Sequence, residues 1–262
     1  MTRLACRVAL ATGVIAGCAI GPSSPGQHTT LVVFAAASLE PAMSELVTAY
    51  LETHHTTDFT ISADASSSLE ARLEQGAPAD MFLAADMTNP QKLVDAGLAE
   101  GAVIPFAANR LALIVPVANP GAVRKAADLA RPGLRIVAAG EAVPVTTYAA
   151  TLVANLAALP GYPPGFGAAY DSNIASREDS VAAVLAKVAL GEGDAGIVYA
   201  TDASSSDRVM AIPIPDAANV HAVYGGVTLR ASQHASDARE FLGWLAGPGG
   251  QRVLMGLGFL SP

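Results

Sequence analysis

The chain has 262 residues, of which 52% are hydrophobic and 15% charged, and its formal net charge is −8; this length suits one large domain or two medium ones. The negative charge argues against nucleic acid as a partner, because binding to phosphate backbones needs basic patches. No run beyond the N-terminus reaches the ~18 consecutive apolar residues that a membrane-spanning helix needs.

The first predicted element is a leader sequence. Arg3 and Arg7 precede an apolar run at 8–20, which is too short to span a membrane and is typical of a signal peptide. The run contains "IAGC", which resembles the bacterial lipobox, a signal whose cysteine is lipidated and becomes the mature N-terminus. We therefore expect a lipoprotein signal peptide at 1–17 and lipidation of Cys18. The alternative is an ordinary secretory signal in which this cysteine is incidental.

Both cysteines of the chain, Cys6 and Cys18, lie in this leader. We therefore expect the mature domain to contain no disulfide, no thiol nucleophile and no thiolate metal site. The Gly-, Pro- and Ser-rich stretch that follows predicts a flexible tether at 18–29. Together these features predict a domain that a lipid anchor holds at the extracytoplasmic face of the cell membrane.

Beyond the tether, apolar strand-like runs alternate with helical patterns, which indicates an α/β fold with helices on both faces of parallel sheets. In the first part of the chain we predict strands at 31–34, 59–62 and 79–85, and helices at 39–53, 68–76 and 90–97. In the rest, an apolar run at 110–117 opens a new block, and we predict strands at 134–140, 195–200, 209–215 and 223–229. We predict helices at 147–159, 179–190 and 235–258, the last with a break at "GPGG".

Ligands of such sheets bind where strands end and helices begin, and these junctions carry neutral hydrogen-bond donors. A helix N-terminus has unpaired N–H groups and a partial positive charge. Several of them converging make an anion site without Lys or Arg, and a site of donors alone favours a fully deprotonated oxyanion. The candidate residues at the junctions are Ser38, Ser66, Ser67, Val145, Tyr148, Val181 and Tyr199.

Each candidate also has a purely structural interpretation. Ser38 and Ser67 are good helix N-caps, and Ser67 with Glu70 fits a capping box. Tyr148 and Tyr199 are, taken singly, typical packing residues. The prediction of a site therefore depends on the joint placement of these residues at strand ends.

Three motifs extend this interpretation. "VFAAASL" is followed by "SSSLEARLEQGAPAD" and then by "AGIVY", and together they resemble the molybdate-binding proteins of ABC-type uptake systems, over roughly residues 31–229. The resemblance implies a type II periplasmic-binding-protein fold with two α/β lobes, each a mainly parallel sheet flanked by helices, and two hinge crossovers. The lobes would comprise 30–108 plus 223–262, and 109–222.

The resemblance also implies roles for individual residues. The oxyanion would lie in the cleft between the lobes, and molybdenum would be met only through its oxygen atoms, with no direct metal ligand and no cofactor. The implied ligand-binding residues are Ser38 and Ser66 through their hydroxyls, Val145 and Val181 through their backbone N–H groups, and Tyr199 through its hydroxyl, with Ser67 and Tyr148 as further candidates.

The implied function is a monomeric receptor, not an enzyme, that captures molybdate or tungstate and delivers it to an ABC permease. One alternative is a receptor for sulfate or phosphate, for which Asp64 is the nearest acceptor of a phosphate proton. Another is a surface hydrolase that uses Ser38 or Ser66 as nucleophile, although the sequence has no nucleophile elbow and no histidine at these junctions. We expect Asp80, in "GAPAD", to bind loop backbone rather than ligand.

Overall fold

The computed structural model describes residues 28–262. The predicted signal peptide at 1–17, the lipidation site Cys18 and the tether as far as residue 27 lie outside the described residues. None of the helices within 28–262 combines the length and the apolar character that crossing a membrane requires.

Ten strands, nine α-helices and two short 3-10 helices, Ala37–Leu39 and Ala126–Ala130, make up most of this part of the chain. The strands are β1 (Thr29–Ala36), β2 (Thr57–Asp64), β3 (Met81–Ala84), β4 (Ala99–Asn109), β5 (Leu111–Pro116), β6 (Ile136–Ala139), β7 (Ile174–Glu178), β8 (Ala195–Tyr199), β9 (Val209–Ile212) and β10 (Ala222–Leu229). The α-helices are α1 (Glu40–Leu51), α2 (Ser66–Glu74), α3 (Thr88–Asp95), α4 (Pro144–Ala158), α5 (Phe166–Ser172), α6 (Val181–Ala189), α7 (Ala200–Ser204), α8 (Ala235–Ala246) and α9 (Pro248–Gly256).

The strands form two five-stranded sheets, one in each lobe, with the orders β2-β1-β3-β10-β4 and β7-β6-β8-β5-β9. In each sheet three strands are parallel: β2, β1 and β3 in the first, and β7, β6 and β8 in the second. The other two strands pair antiparallel. The sheets are therefore mixed rather than mainly parallel, because β4, β5, β9 and β10 carry the chain between lobes instead of returning through a helix.

The two crossings of the chain between the lobes lie side by side. β4 ends at Asn109, and in the antiparallel register this residue faces Ala222, the first residue of β10. Leu260 joins the same border by exchanging two backbone hydrogen bonds with Ala108, with N–O distances of 2.7 and 2.8 Å. Three chain segments thus meet where one lobe passes into the other.

The first-lobe core holds α1 against the sheet. The buried residues of α1 recur at intervals of one, three and four, which is the period that places them on one face of a helix. Tyr50 from this face packs edge-on against Phe241 of α8, with ring centroids 4.9 Å apart. The end of β1 and the short helix at Ala37–Leu39 are therefore fixed by the packing of the helix that follows them.

Most predicted elements are present, but three helices begin earlier than predicted. α2 begins at Ser66 instead of residue 68, and α3 begins at Thr88 instead of residue 90. α4 begins at Pro144 instead of residue 147, since proline fits the first turn of a helix. The sequence patterns do not predict β4, α5, β7 or α7. β4 is interrupted by a glycine and a proline, and β7 is a short strand, half exposed along its length.

Asp80 has the structural role predicted for it. Its carboxylate is buried and accepts hydrogen bonds from the N–H of Val32 at 2.7 Å and from the hydroxyl of Ser232 at 2.5 Å. The Asp80 side chain therefore joins β1 to the loop that follows β10.

Replacing Asp80 by alanine is expected to lower the free energy of unfolding by ~1–3 kcal/mol, because buried donors would lose their acceptor. Urea denaturation of the purified domain measures this change. Asp95→Ala, which removes an exposed carboxylate on α3, is the matched control and should leave the free energy nearly unchanged. Equal stabilities of the two variants would contradict the assigned role.

Candidate functional site

A small cavity lies between the two lobes, where strand ends and helix starts from both sheets converge. The space open to the centre of a water molecule is about 10 Å³, so the lobes stand close together around this point. The cavity brings together five of the residues predicted to bind the ligand. Its lining consists of Ala36, Ala37, Ser38, Ala65, Ser66, Ala85, Val143, Pro144, Val145, Val181 and Tyr199.

The lining is neutral and built mostly of small residues. None of these eleven residues carries an ionisable acid or base other than the Tyr199 phenol. The alanines at the ends of β1 and β3 and before α2 allow a ligand to approach the backbone. In a lining of this kind, hydroxyl and N–H groups supply the polar contacts, and no carboxylate is present to accept a proton from a ligand.

Ser66 presents its hydroxyl to the cavity from the first position of α2. Its Oγ accepts a hydrogen bond from the N–H of Ala85, at the end of β3, at 3.0 Å. A hydroxyl can accept and donate at once, so its hydrogen remains free for a ligand. The residue preceding α2, in the N-cap position, is Ala65.

Ser38 lies in the short helix at Ala37–Leu39 and is almost completely buried. Its Oγ is 3.0 Å from the Oη of Tyr224 on β10. The prediction that Ser38 and Ser67 are N-caps is wrong, because Ala36 and Ala65 occupy those positions and neither serine makes a side-chain cap bond. The short helix begins at Ala37, before Ser38, and α2 begins at Ser66, before Ser67. Each serine therefore lies in the first turn of its helix rather than at the N-cap.

Val145 and Val181 reach the cavity at the starts of α4 and α6. Val145 is the second residue of α4, and Val181 is the first residue of α6. The Ser180 side chain, which caps α6, accepts from the N–H of Ala183 and not from that of Val181. Within 28–262, no group accepts a hydrogen bond from the N–H of either valine. Each helix therefore directs an unpaired donor and the positive end of its dipole toward the cavity.

Tyr199 closes the cavity at the end of β8. Burial is the main cause that raises the pKa of its phenol well above the usual range, so the group is a neutral hydroxyl at physiological pH. Its Oη is 3.5 Å from the carbonyl oxygen of Ala85, a long contact that binds the hydrogen only weakly. The phenol is thus a donor available at the same place as the two serines.

Comparison with known proteins agrees with this two-lobed architecture. The model of a family described as bacterial extracellular solute-binding protein matches residues 31–260. The chain belongs to that family.

Similar proteins come from several bacteria. The solute-binding protein described here is 33% identical to the molybdate-binding protein ModA of Mycobacterium tuberculosis H37Rv over 246 residues, 93% of this chain and 90% of that one. The solved periplasmic molybdate-binding protein of Azotobacter vinelandii has a TM-score of 0.74 at 24% identity, covering 88% of this chain and 99% of its own. The sulfate-binding protein SubI of Mycobacterium tuberculosis has a TM-score of 0.77 at 20% identity, covering 88% and 86%. These likenesses confirm the predicted family resemblance and the two-lobed α/β fold.

Two predicted candidates lie outside the cavity of this solute-binding protein. Ser67 is the second residue of α2 and does not line it. Tyr148 does not line it either; its hydroxyl donates to the carbonyl oxygen of Val223 at 3.4 Å, and burial raises the pKa of this phenol to about 12. Asp64 also lies outside, and its carboxylate accepts a hydrogen bond from the N–H of Ala65 at 2.7 Å.

Sequence reasoning missed the side chains behind the cavity. Tyr224, Asn109 and Asp202 are all buried at the border of the lobes, and the sequence offers no local pattern that pairs them with Ser38. The part of the chain that the structure describes holds no group of three or more His, Cys, Asp or Glu residues suited to a metal ion.

A larger cavity, of about 400 Å³, lies within the second lobe between α4 and α5. Its lining is mostly apolar, with Arg177 and Asp171 among its charged residues. It includes no residue of the first lobe, so it cannot connect the lobes. The small interlobe cavity, in contrast, is lined by residues of both lobes.

Proposed function

We propose that this solute-binding protein captures molybdate or tungstate in the interlobe cavity. The observation that carries the proposal is a cavity with hydroxyl and N–H donors from both lobes and no charged side chain. Molybdate is fully deprotonated at neutral pH and has only acceptor oxygens, so it matches such a set of donors. The names of the mycobacterial and Azotobacter relatives support the same ligand.

In this proposal, each donor group binds an oxygen of the anion. The first lobe contributes the hydroxyls of Ser38 and Ser66, and the second contributes the backbone N–H groups of Val145 and Val181 and the hydroxyl of Tyr199. Two helix N-termini add favourable electrostatics without a formal positive charge. Molybdenum itself has no direct protein ligand.

The remaining parts of the proposal follow from the sequence and the family. The lobes comprise 30–108 plus 223–262, and 109–222. After removal of 1–17, lipidated Cys18 anchors the domain on the extracytoplasmic face of the membrane, where it acts as a monomer and delivers its ligand to an ABC permease. It performs no chemical reaction on the ligand, which agrees with the solute-binding family to which it belongs.

Isothermal titration calorimetry of the domain without its leader tests the ligand. Binding of molybdate is expected at micromolar concentration, and sulfate is expected to bind weaker by orders of magnitude. A smaller tetrahedron cannot reach every donor at once, and each missed hydrogen bond costs ~1–3 kcal/mol. If molybdate gives no heat of binding and sulfate does, the protein is a sulfate receptor instead.

Phosphate is the less suitable oxyanion for this cavity. At neutral pH phosphate keeps a proton, and binding that proton requires an acceptor such as a carboxylate. Asp64, the acidic residue named for this role, is outside the lining. A competition titration with phosphate against bound molybdate is therefore expected to show no displacement at equal concentrations.

A further inference from the structure

Buried polar side chains lie behind Ser38 at the border of the lobes. Ser38 Oγ lies 3.0 Å from Tyr224 Oη, and the Asn109 side chain, a nearby donor, opposes the rise in the pKa of Tyr224. The Asn109 amide in turn donates from Nδ2 to the hydroxyl of Thr201 at 2.7 Å. Tyr224 and Asn109 are both fully buried, so water does not compete for these contacts.

Among the described residues, Ser38 Oγ is the one hydrogen-bond partner of the Tyr224 phenol. The Asn109 Oδ1 accepts instead from the backbone N–H of Arg110 at 2.9 Å. Because a buried hydroxyl hydrogen is rarely left without a partner, the phenol hydrogen goes to Ser38 Oγ.

The direction of this hydrogen bond determines where the hydroxyl hydrogen of Ser38 points. Once its oxygen accepts from Tyr224, its own hydrogen points away from the phenol and toward the cavity. Ser66 has the same arrangement, since its Oγ accepts from the N–H of Ala85. The two serines of the cavity thus each have an acceptor site occupied by a fixed buried donor, one from a side chain and one from the backbone.

We propose that Tyr224 is a positioning residue that fixes Ser38 as a donor toward the ligand and occupies one of the two lone pairs with which Ser38 could accept a proton. The inference rests on the proposed binding of a deprotonated oxyanion. It assigns selectivity against protonated oxyanions partly to a residue that does not touch the ligand. Burial, and next the charge of Asp202, raise the pKa of Tyr224 well above its usual range, so this donor is retained at physiological pH.

Tyr224→Phe tests the proposal, because it removes one hydroxyl and keeps the ring. We expect the Kd for molybdate to rise about tenfold, the usual worth of one hydrogen bond. Tyr170→Phe, which removes another buried phenol hydroxyl that is not part of the cavity lining, is the matched control and should bind like the wild type. Thermal denaturation of both variants separates a change in stability from a change in binding.

A double-mutant cycle with Ser38→Ala distinguishes positioning from general support of the fold. If Tyr224 acts through Ser38, adding Tyr224→Phe to Ser38→Ala will not weaken binding further, whereas a merely structural effect would add in full. Competition with arsenate, which keeps a proton, and selenate, which does not, gives a second readout. In Tyr224→Phe the affinity for arsenate relative to selenate should rise severalfold.

Asn109→Asp provides a second variant in case Tyr224→Phe does not fold. The aspartate keeps the acceptor for the Arg110 N–H and replaces the donor facing Tyr224 with an acceptor, which draws the phenol hydrogen away from Ser38. Weaker molybdate binding that disappears in the Ser38→Ala background supports the proposal. If the wild type binds molybdate but either variant binds equally well or combines additively with Ser38→Ala, the proposal is overturned; absence of binding by the wild type would overturn the proposed function instead.

Discussion

The double variant Ser38→Ala/Ser66→Ala is expected to bind molybdate about 10²–10⁴-fold more weakly than the wild type. In the proposed complex each serine donates a hydrogen bond to a charged group, worth ~1.5–3 kcal/mol, and 1.4 kcal/mol corresponds to a factor of ten. Both hydroxyls come from the first lobe, so their loss leaves the anion with donors from the second lobe only. Calorimetry, or competition with a tighter ligand where binding is too weak, measures the change.

Ser67→Ala is the matched control for this experiment. Ser67 neighbours Ser66 on the same helix, but its side chain lies outside the cavity, so its removal should leave the Kd within about twofold of the wild type, as for surface substitutions generally. A double variant that binds normally but unfolds at a lower temperature would mean that the serines only support the fold. Equal losses in the control and the double variant would place the ligand elsewhere.

The second large effect concerns Asp202, a carboxyl buried in α7. Burial raises its pKa from the ordinary 3.8 to about 7, and the one opposing contact is the backbone N–H of Tyr199. Between these two values the folded protein holds a proton that the unfolded chain has released. The contribution of Asp202 to the free energy of unfolding is therefore largest below pH 4, and it falls as the pH rises to 7.

Asp202→Asn is expected to remove this decline and to stabilise the protein at pH 8 by on the order of 4 kcal/mol, taking 1.36 kcal/mol for each pH unit between 3.8 and about 7. The amide resembles the neutral acid and still accepts from the N–H of Tyr199. Urea denaturation of both proteins from pH 4 to pH 8 gives the difference between their free energies of unfolding at each pH. Other groups such as Asp86 titrate in both proteins, so their contributions cancel in this difference. Asp216→Asn, at an exposed ion pair with Arg110, is the control, and an equal slope in all three proteins would contradict the prediction.

Much of the fold was predictable from local patterns, because strands and helices alternate and each has its own hydrophobic period. The mixed sheets were not, since strand direction depends on how the chain passes between lobes. β10 illustrates the difficulty: its apolar run predicts a strand, but nothing in the run says that it pairs antiparallel between β3 and β4.

The cavity residues were predictable for a related reason. Ser38, Ser66, Val145, Val181 and Tyr199 lie at strand ends or helix starts, which can be located in the sequence, and the family motifs select among them. The wrong caps came from helix boundaries, because a shift of a residue or two moves a serine from the N-cap into the first turn. The partner of Ser38 was not predictable, since Tyr224 lies 186 residues further along the chain.

The side-by-side crossings have a mechanical consequence. With Asn109 opposite Ala222 and Leu260 bonded to Ala108, the lobes are joined along one edge by a hydrogen-bonded ribbon, which bends more easily than its strands slide past one another. Rotation about such an edge displaces each atom in proportion to its distance from it. If the lobes rotate about this edge when the proposed anion binds, a sub-ångström adjustment at the cavity becomes a larger displacement at the outer rim of the lobes.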